Sequence, residues 1–171
     1  MNFGSNPFVC LFVAPPRRGK KSRAFFVRKL MFFFSGKSYL IRYLNLCWAR
    51  EGRFKRIWVI STTGKWNGDY DYLDSKYISD TYSDDHLQFI LDTQRENEGE
   101  ALLIFDDAIG EAQTKTSMFK QLISTHRQYN LSVILSVQNL LESCTPLIRN
   151  CARFVVFFRP MNLKERKASS V

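Results

Sequence analysis

Cysteine and histidine are scarce in this chain of 171 residues, which contains four cysteines and two histidines. No two cysteines form a CxxC pair, and both histidines, His86 and His126, lie far from them in the chain. Because a zinc site needs several such residues at short spacings, we predict no zinc site. Cys10 lies inside an apolar run, where a free thiol is an ordinary core residue, and we expect no disulfide bond.

Long hydrophobic runs are also missing, since every apolar segment is far shorter than the roughly 18 residues that a membrane-spanning helix needs. The N-terminal residues show no signal-peptide pattern. We therefore expect a soluble intracellular protein without a membrane partner. Apolar residues still make up 45% of the chain, which favours one globular domain.

Five short apolar runs are unbroken rather than alternating, which is typical of strands buried on both faces of a sheet. They are residues 8–13, 57–61, 101–105, 131–137 and 154–158. Helix-like segments lie between them, at residues 39–50, 84–97, 117–127 and 139–148. This alternation predicts an α/β domain in which helices cover both faces of a parallel sheet. The first, third and fourth runs are the most uniformly apolar, so we expect them at the centre.

A polar segment, residues 69–85, separates the second strand from the next helix. Four tyrosines alternate with its polar residues, namely Tyr70, Tyr72, Tyr77 and Tyr82. We predict a solvated surface loop, with a partner-binding surface as the alternative.

Two halves of a phosphate-binding loop follow the first strand. Such a loop reads GxxxxGK[ST] between a strand and a helix, where backbone N–H groups hold phosphates, Lys reaches the β/γ oxygens and Ser or Thr binds Mg²⁺. The first half follows the strand but has lysine at the hydroxyl position; it comprises Ala14, Pro15, Pro16, Arg17, Arg18, Gly19, Lys20 and Lys21. The second half has the hydroxyl and a following helix, but no preceding loop; it comprises Gly36, Lys37 and Ser38.

Deleting residues 20–36 fuses the two halves into strand, loop and helix, with Ala14 in place of the first glycine. We hypothesise that the extra residues are a translated intron. Gly19-Lys20 is compatible with a donor site, and Phe32–Gly36 with a pyrimidine tract ending in an acceptor site. The cuts fall within codons 19 and 36, keep the reading frame and restore a glycine codon at the junction. Residues 20–35 hold five basic residues and no acid, so their removal lowers the net charge from +9 to +4. The high charge is therefore weak evidence for nucleic-acid binding. The alternative is a genuine basic, aromatic insertion that contacts DNA or a membrane surface.

An apolar strand ending in two acids follows, in the pattern of a Walker B motif. It runs from residue 101 to Asp106 and Asp107. Asp106 is predicted to hold Mg²⁺, and Asp107 stands where a carboxylate polarises the attacking water. The fourth strand also has a polar end, and Gln138 there is a candidate to bond the γ-phosphate or the lytic water. The alternative for Gln138 is an ordinary residue at a helix N-terminus.

The motifs together resemble the virion packaging ATPases of the FtsK–HerA superfamily, in the poxvirus-type branch that is similar to ATPases of Maverick/Polinton transposons and virophages. The matching stretches are residues 14–18 joined to 36–38, 102–107, 125–130 and 132–139. The block that joins residues 126–130 to the strand ending in Gln138 is the most specific of them.

This resemblance implies a five-stranded sheet of order 5-1-4-3-2, ATP and Mg²⁺ as cofactors, and a homo-oligomeric ring that translocates double-stranded DNA into a capsid. Capsid or portal components are the implied partners, and a viral factory, a virion, or the nucleus or cytoplasm of a host cell is the implied location. Rings of this kind lend an arginine to the neighbouring subunit's site, for which Arg127, Arg149 and Arg153 are candidates. The chain ends soon after the fifth strand, so we expect a truncated C-terminus. The alternatives are a non-motor P-loop or AAA-type ATPase, and an inactive copy with a disrupted phosphate loop.

Overall fold

The computed structural model describes residues 6–13, 25–27, 30–33, 37–64, 66–138 and 140–158. Eight strands lie within these residues: β1 (Val9–Val13), β2 (Phe25–Val27), β3 (Leu30–Phe33), β4 (Arg56–Ser61), β5 (Ile78–Ser79), β6 (Ala101–Asp106), β7 (Leu131–Val137) and β8 (Ala152–Phe158). The helices are α1 (Lys37–Glu51), α2 (Asp84–Glu96), α3 (Glu111–Thr114), α4 (Ser117–Thr125), α5 (Leu140–Ser143) and α6 (Pro146–Cys151), with a 3-10 turn at Ser75–Tyr77. No helix among the described residues is long and apolar enough to cross a membrane.

All the strands form one sheet in the order β2-β3-β8-β1-β7-β6-β4-β5. Every neighbouring pair is parallel except β2 and β3, which are antiparallel. The five long strands keep the predicted order 5-1-4-3-2, which appears here as β8-β1-β7-β6-β4. The sheet differs from the prediction by short strands added at both edges. The predicted central position of β1, β6 and β7 is confirmed, and every residue of these three strands is buried.

Helices cover both faces of the sheet, as the unbroken apolar runs predicted. Alternate residues of β1 point to opposite faces, so Leu11 packs in one core cluster and Phe12 in the other. The first cluster includes side chains from α2, α4 and α6, whereas the second includes Ile41 and Trp48 from α1. A parallel sheet buried on both sides in this way leaves only its strand ends open for a site.

The single helix predicted over residues 139–148 is wrong. The structure has two short helices instead, and the second begins at Pro146. Proline has no backbone N–H and cannot continue the preceding helix, but it fits the first turn of a new one. The Thr145 hydroxyl accepts a hydrogen bond from the Ile148 N–H at 3.5 Å and caps that helix.

Part of the segment that interrupts the phosphate loop is paired into the sheet. Leu30–Phe33 pairs in parallel with β8, and Phe25–Val27 pairs with Leu30–Phe33 to form the edge of the sheet. An extended apolar segment satisfies its backbone N–H and C=O groups by adding to an open strand edge. The remaining residues of the predicted insertion lie outside the described part of the chain.

Candidate nucleotide-binding site

Polar side chains meet at the carboxyl end of the central strands. Parallel register places Asp106 of β6 opposite Ser136 of β7, and Asp107 follows directly. The N-terminus of α1 lies against the same edge and brings Lys37 and Ser38 to these acids. Ligands of open α/β sheets bind at this edge, so the structure assembles its candidate site there.

Lys37 forms an ion pair with Asp107 that connects the helix start to the strand end. Its Nζ lies 2.5 Å from Asp107 Oδ1, and only 8% of the lysine side chain is exposed, compared with 38% of the aspartate side chain. The first turn of α1 contains no acidic residue. The partial positive charge of the helix N-terminus is therefore not neutralised by an acid of its own turn, which suits a phosphate group.

Asp106 is more buried than its neighbour, with 5% of its surface exposed. Tyr70 donates a hydrogen bond to its Oδ2 at 2.9 Å, and the Ser38 hydroxyl donates to its Oδ1 at 3.4 Å. Burial raises the pKa of Asp106, and the charge of Asp107 raises it further, while the hydrogen bond from Tyr70 and the charge of Lys37 oppose these effects. A positive ion bound at this carboxylate would favour its charged form.

Asp107 adopts a left-handed backbone conformation, with φ of +53°. Aspartate tolerates this region better than most residues, although it costs on the order of 1 kcal/mol. The turn ends β6 and directs the carboxylate towards Lys37 and towards Ser136, whose hydroxyl donates to Asp107 Oδ1 at 3.3 Å. Backbone strain of this kind is concentrated at functional sites, which makes Asp107 a candidate for a role in chemistry.

A magnesium ion fits the residues at this edge. Mg²⁺ prefers oxygen ligands and is usually held by one or two carboxylates together with substrate phosphates and water. The Ser38 hydroxyl and an Asp106 carboxylate oxygen face each other at this edge. The Lys37 ammonium group lies beside them and can neutralise part of the charge of a phosphate group. The donor chemistry therefore agrees with the predicted metal residues Ser38 and Asp106.

Two residues of the site were missed by the sequence analysis. Ser136 lies on β7 opposite Asp106, and its place as a polar residue near the end of the fourth apolar run is a sequence signal that could have found it. Tyr70 lies in the segment predicted to be a solvated loop, yet its side chain is completely buried. The solvated-loop prediction is wrong at this position, because the Tyr70 side chain packs in the core and its hydroxyl donates a hydrogen bond to Asp106. Burial, followed by the charge of Asp106, raises the pKa of Tyr70, so its hydroxyl stays protonated and donates.

Gln138 follows β7 at the same edge as the acids and is exposed. Its placement suits the predicted contact with a γ-phosphate or water. The predicted phosphate-loop residues Ala14, Pro15, Pro16, Arg17, Arg18, Gly19, Lys20 and Gly36 lie outside the described residues.

The three candidate arginines lie at the opposite, amino end of the strands. Arg127 is exposed in the turn that precedes β7, where the Leu131 N–H donates to the His126 carbonyl at 2.9 Å. Arg149 donates to the Cys144 carbonyl at 3.0 Å, and Arg153 stacks on Phe154 with its guanidinium 5.4 Å from the ring centroid. They therefore lie far from this chain's own Lys37–Asp107 pair, which is at the carboxyl end of the strands.

Solved structures that resemble this one include the genome packaging NTPase B204 from Sulfolobus turreted icosahedral virus 2. Its complex with AMPPCP matches at a TM-score of 0.64 with 18% identity, covering 98% of this chain and 82% of that chain. Its complex with sulfate matches at 0.66 with 19% identity, covering 98% and 81%. This chain shares the fold of that protein.

A structure described as the DNA-packaging ATPase from Sulfolobus turreted icosahedral virus also matches, at a TM-score of 0.63 and 17% identity. That match covers 96% of this chain and 82% of the other. No protein-family model and no curated protein matches the sequence. At these identities the likeness establishes the fold, which is the α/β architecture predicted from the sequence.

Proposed function

We propose that this chain is a Mg²⁺-dependent ATPase that drives double-stranded DNA into a capsid. The observation that carries the proposal is the meeting of Lys37 and Ser38 with Asp106 and Asp107 at one strand edge. It occurs on a fold shared over nearly the whole chain with a genome packaging NTPase whose structures include complexes with AMPPCP and ATP-gammaS.

Each residue of the edge has a role that follows from its chemistry. Lys37 places a positive charge against the β and γ phosphates, at the N-terminus of a 15-residue helix whose N–H groups also face the anion. Ser38 and Asp106 hold Mg²⁺, which neutralises phosphate charge. Asp107 orients the attacking water and accepts its proton, and Gln138 bonds that water or the γ-phosphate.

The Lys37–Asp107 ion pair has a consequence for binding. A buried ammonium group needs a partner, and in this structure the partner is the carboxylate of Asp107. An arriving triphosphate offers Lys37 a more negative partner and releases Asp107 to contact water. Nucleotide binding would in this way free the Asp107 carboxylate to orient the attacking water and accept its proton.

The proposed partners follow from a motor function. A ring of identical subunits would bring the amino edge of one chain towards the carboxyl edge of its neighbour. Arg127 is exposed at the amino edge and is our candidate for the arginine supplied to the neighbouring site. Capsid or portal components would anchor the ring while DNA passes through it.

The test is ATP hydrolysis by the purified chain, with and without linear double-stranded DNA, followed by displacement of a triplex-forming strand as a measure of translocation. We expect DNA to stimulate hydrolysis and Lys37→Met to abolish it. Lys55→Met removes the same charge at an exposed position and serves as the matched control. Hydrolysis that is indifferent to DNA, without strand displacement, would identify a non-motor ATPase instead.

A second candidate, an inactive copy, is favoured by the interruption of the phosphate loop. Residues 14–36 separate the end of β1 from the start of α1, and they include two strands of the sheet edge. A short loop is what lets backbone N–H groups surround phosphates, and this connection is much longer. Hydrolysis that appears only after residues 20–36 are removed would support this candidate, and a spliced transcript lacking their codons would support the intron hypothesis.

A further inference from the structure

Tyr70 is the most completely buried polar aromatic side chain in contact with the site. Its ring is 0% exposed, and its hydroxyl donates to Asp106 Oδ2 at 2.9 Å. The two residues are 36 positions apart in the chain, and Tyr70 belongs to no helix or strand. Because Tyr70 lies in a loop, contacts with other parts of the chain must hold its hydroxyl at the Asp106 carboxylate.

Two contacts hold the loop in this position. Asp69, directly before Tyr70, forms an ion pair with Arg42 of α1, with 2.5 Å between Oδ1 and Nη1. Gly64 packs so closely that a Cβ atom on it would lie 3.0 Å from Tyr70 Cδ2 and 3.0 Å from Ser61 Cβ. The residue before Tyr70 is therefore tied to α1, and the ring itself lies against the segment that follows β4, which limits the positions that its hydroxyl can take.

The two oxygens of Asp106 consequently have different partners. Oδ2 accepts from Tyr70, whereas Oδ1 faces the Ser38 hydroxyl at 3.4 Å, a distance at the long limit of a hydrogen bond. With one oxygen engaged by a buried donor, rotation of the carboxylate about its last bond is restricted. The oxygen that remains on the Ser38 side is the one available to a cation.

We infer that Tyr70 is a positioning residue for Asp106: its hydroxyl holds the carboxylate so that Oδ1 is presented, with Ser38, to a divalent cation. The inference rests on the metal site of the proposed function and assigns that site an outer partner. Outer hydrogen bonds to ligating side chains are typically worth about 10–100-fold in metal affinity. Tyr70 touches neither nucleotide nor metal and acts through Asp106 alone.

The test uses the full chain, with Mn²⁺ as the probe because its free concentration is read directly by electron paramagnetic resonance. Tyr70→Phe keeps the buried ring and removes only the hydroxyl. Tyr72→Phe removes a hydroxyl from the same loop on a side chain that is 40% exposed, and is the matched control. Mn²⁺ binding is measured with and without ATPγS, and ATPγS affinity is measured separately in EDTA.

We expect Tyr70→Phe to weaken Mn²⁺ binding by about 10-fold or more and to leave ATPγS affinity in EDTA unchanged. Tyr72→Phe should match the parent in both measurements. Mn²⁺ affinity equal to the parent's in Tyr70→Phe would overturn the inference, and so would an equal loss of ATPγS affinity in EDTA, which indicates a general structural role. A parent chain that binds no Mn²⁺ under either condition would overturn it together with the metal site.

The inference and the proposed function fail separately. A parent chain that shows the Tyr70 effect on Mn²⁺ but hydrolyses no ATP supports the inference and contradicts the proposed function. If Tyr70→Phe does not fold, Gly64→Ala decides the matter, because the added methyl group would lie 3.0 Å from both Tyr70 Cδ2 and Ser61 Cβ, so the ring and the Ser61 side chain must shift while the hydroxyl is kept. Gly64→Ala should then weaken Mn²⁺ binding to a similar extent, and parent-like Mn²⁺ affinity in this variant would contradict the inference.

Discussion

Replacing Asp107 by asparagine should change binding and turnover in opposite directions. The substitution keeps the size of the side chain but removes the negative charge that pairs with Lys37 at 2.5 Å. In the empty site Lys37 would then lack its ion-pair partner, and a triphosphate would no longer compete with a carboxylate for it. We therefore expect Asp107→Asn to bind ATP more tightly than the parent and to hydrolyse it more slowly.

The magnitude of the binding effect is limited by the exposure of Asp107. Two unit charges 4 Å apart attract each other by about 4 kcal/mol at an effective dielectric constant near 20, before desolvation is subtracted. Because 38% of the Asp107 side chain is exposed, solvent screens the pair, and the net value is reduced towards about 1 kcal/mol. That corresponds to roughly five-fold tighter binding of ATP. The loss of a general base lowers kcat by about 10²–10⁴-fold.

The assay combines equilibrium binding of a fluorescent ATP analogue with single-turnover hydrolysis. Asp92→Asn makes the same change on α2 and should leave both quantities at parent values. Hydrolysis at the parent rate in Asp107→Asn would refute the role of Asp107 and direct attention to Glu111, an exposed carboxylate that pairs with Lys115. Weaker ATP binding in Asp107→Asn would refute the competition between the carboxylate and the triphosphate.

Three further predictions concern the metal site, the core and the sheet edge. Asp106→Asn should lose Mg²⁺-dependent nucleotide binding, measured by calorimetry. It should not lower the melting temperature of the nucleotide-free chain, because burial raises the pKa of Asp106 and disfavours its charged form. Leu103→Ala should reduce the free energy of unfolding in urea by about 2–5 kcal/mol, since Leu103 is completely buried at the middle of β6, whereas the exposed Phe89→Ala should cost much less. Removal of residues 20–36 should leave the circular dichroism spectrum of an α/β fold, because the five long strands keep their mutual pairing; loss of that spectrum would show that β2 and β3 are essential to the sheet.

Local patterns were enough to predict the strands and the acids that end them. The apolar runs that predicted β1, β6 and β7 are continuous because both faces of those strands are buried. Burial on both faces requires consecutive apolar residues, which are visible in the sequence. Asp106 and Asp107 could be assigned from their place after such a run. The break between α5 and α6 was also present in the sequence, in Thr145 and Pro146, but the prediction extended the helix through them.

Other features depended on contacts between distant parts of the chain. The sequence contains three Gly-Lys pairs, and only the folded chain brings Lys37 to Asp107, which is 70 positions away. Tyr70 stands among acids and glycines, a composition typical of surface loops, and its burial depends on α1 and β4 closing around it. The sequence by itself determined which segments form the buried sheet, since that information is local. Only the tertiary structure decided which side chains share the strand edge, because the order of the strands, and not their composition, sets the distances between them.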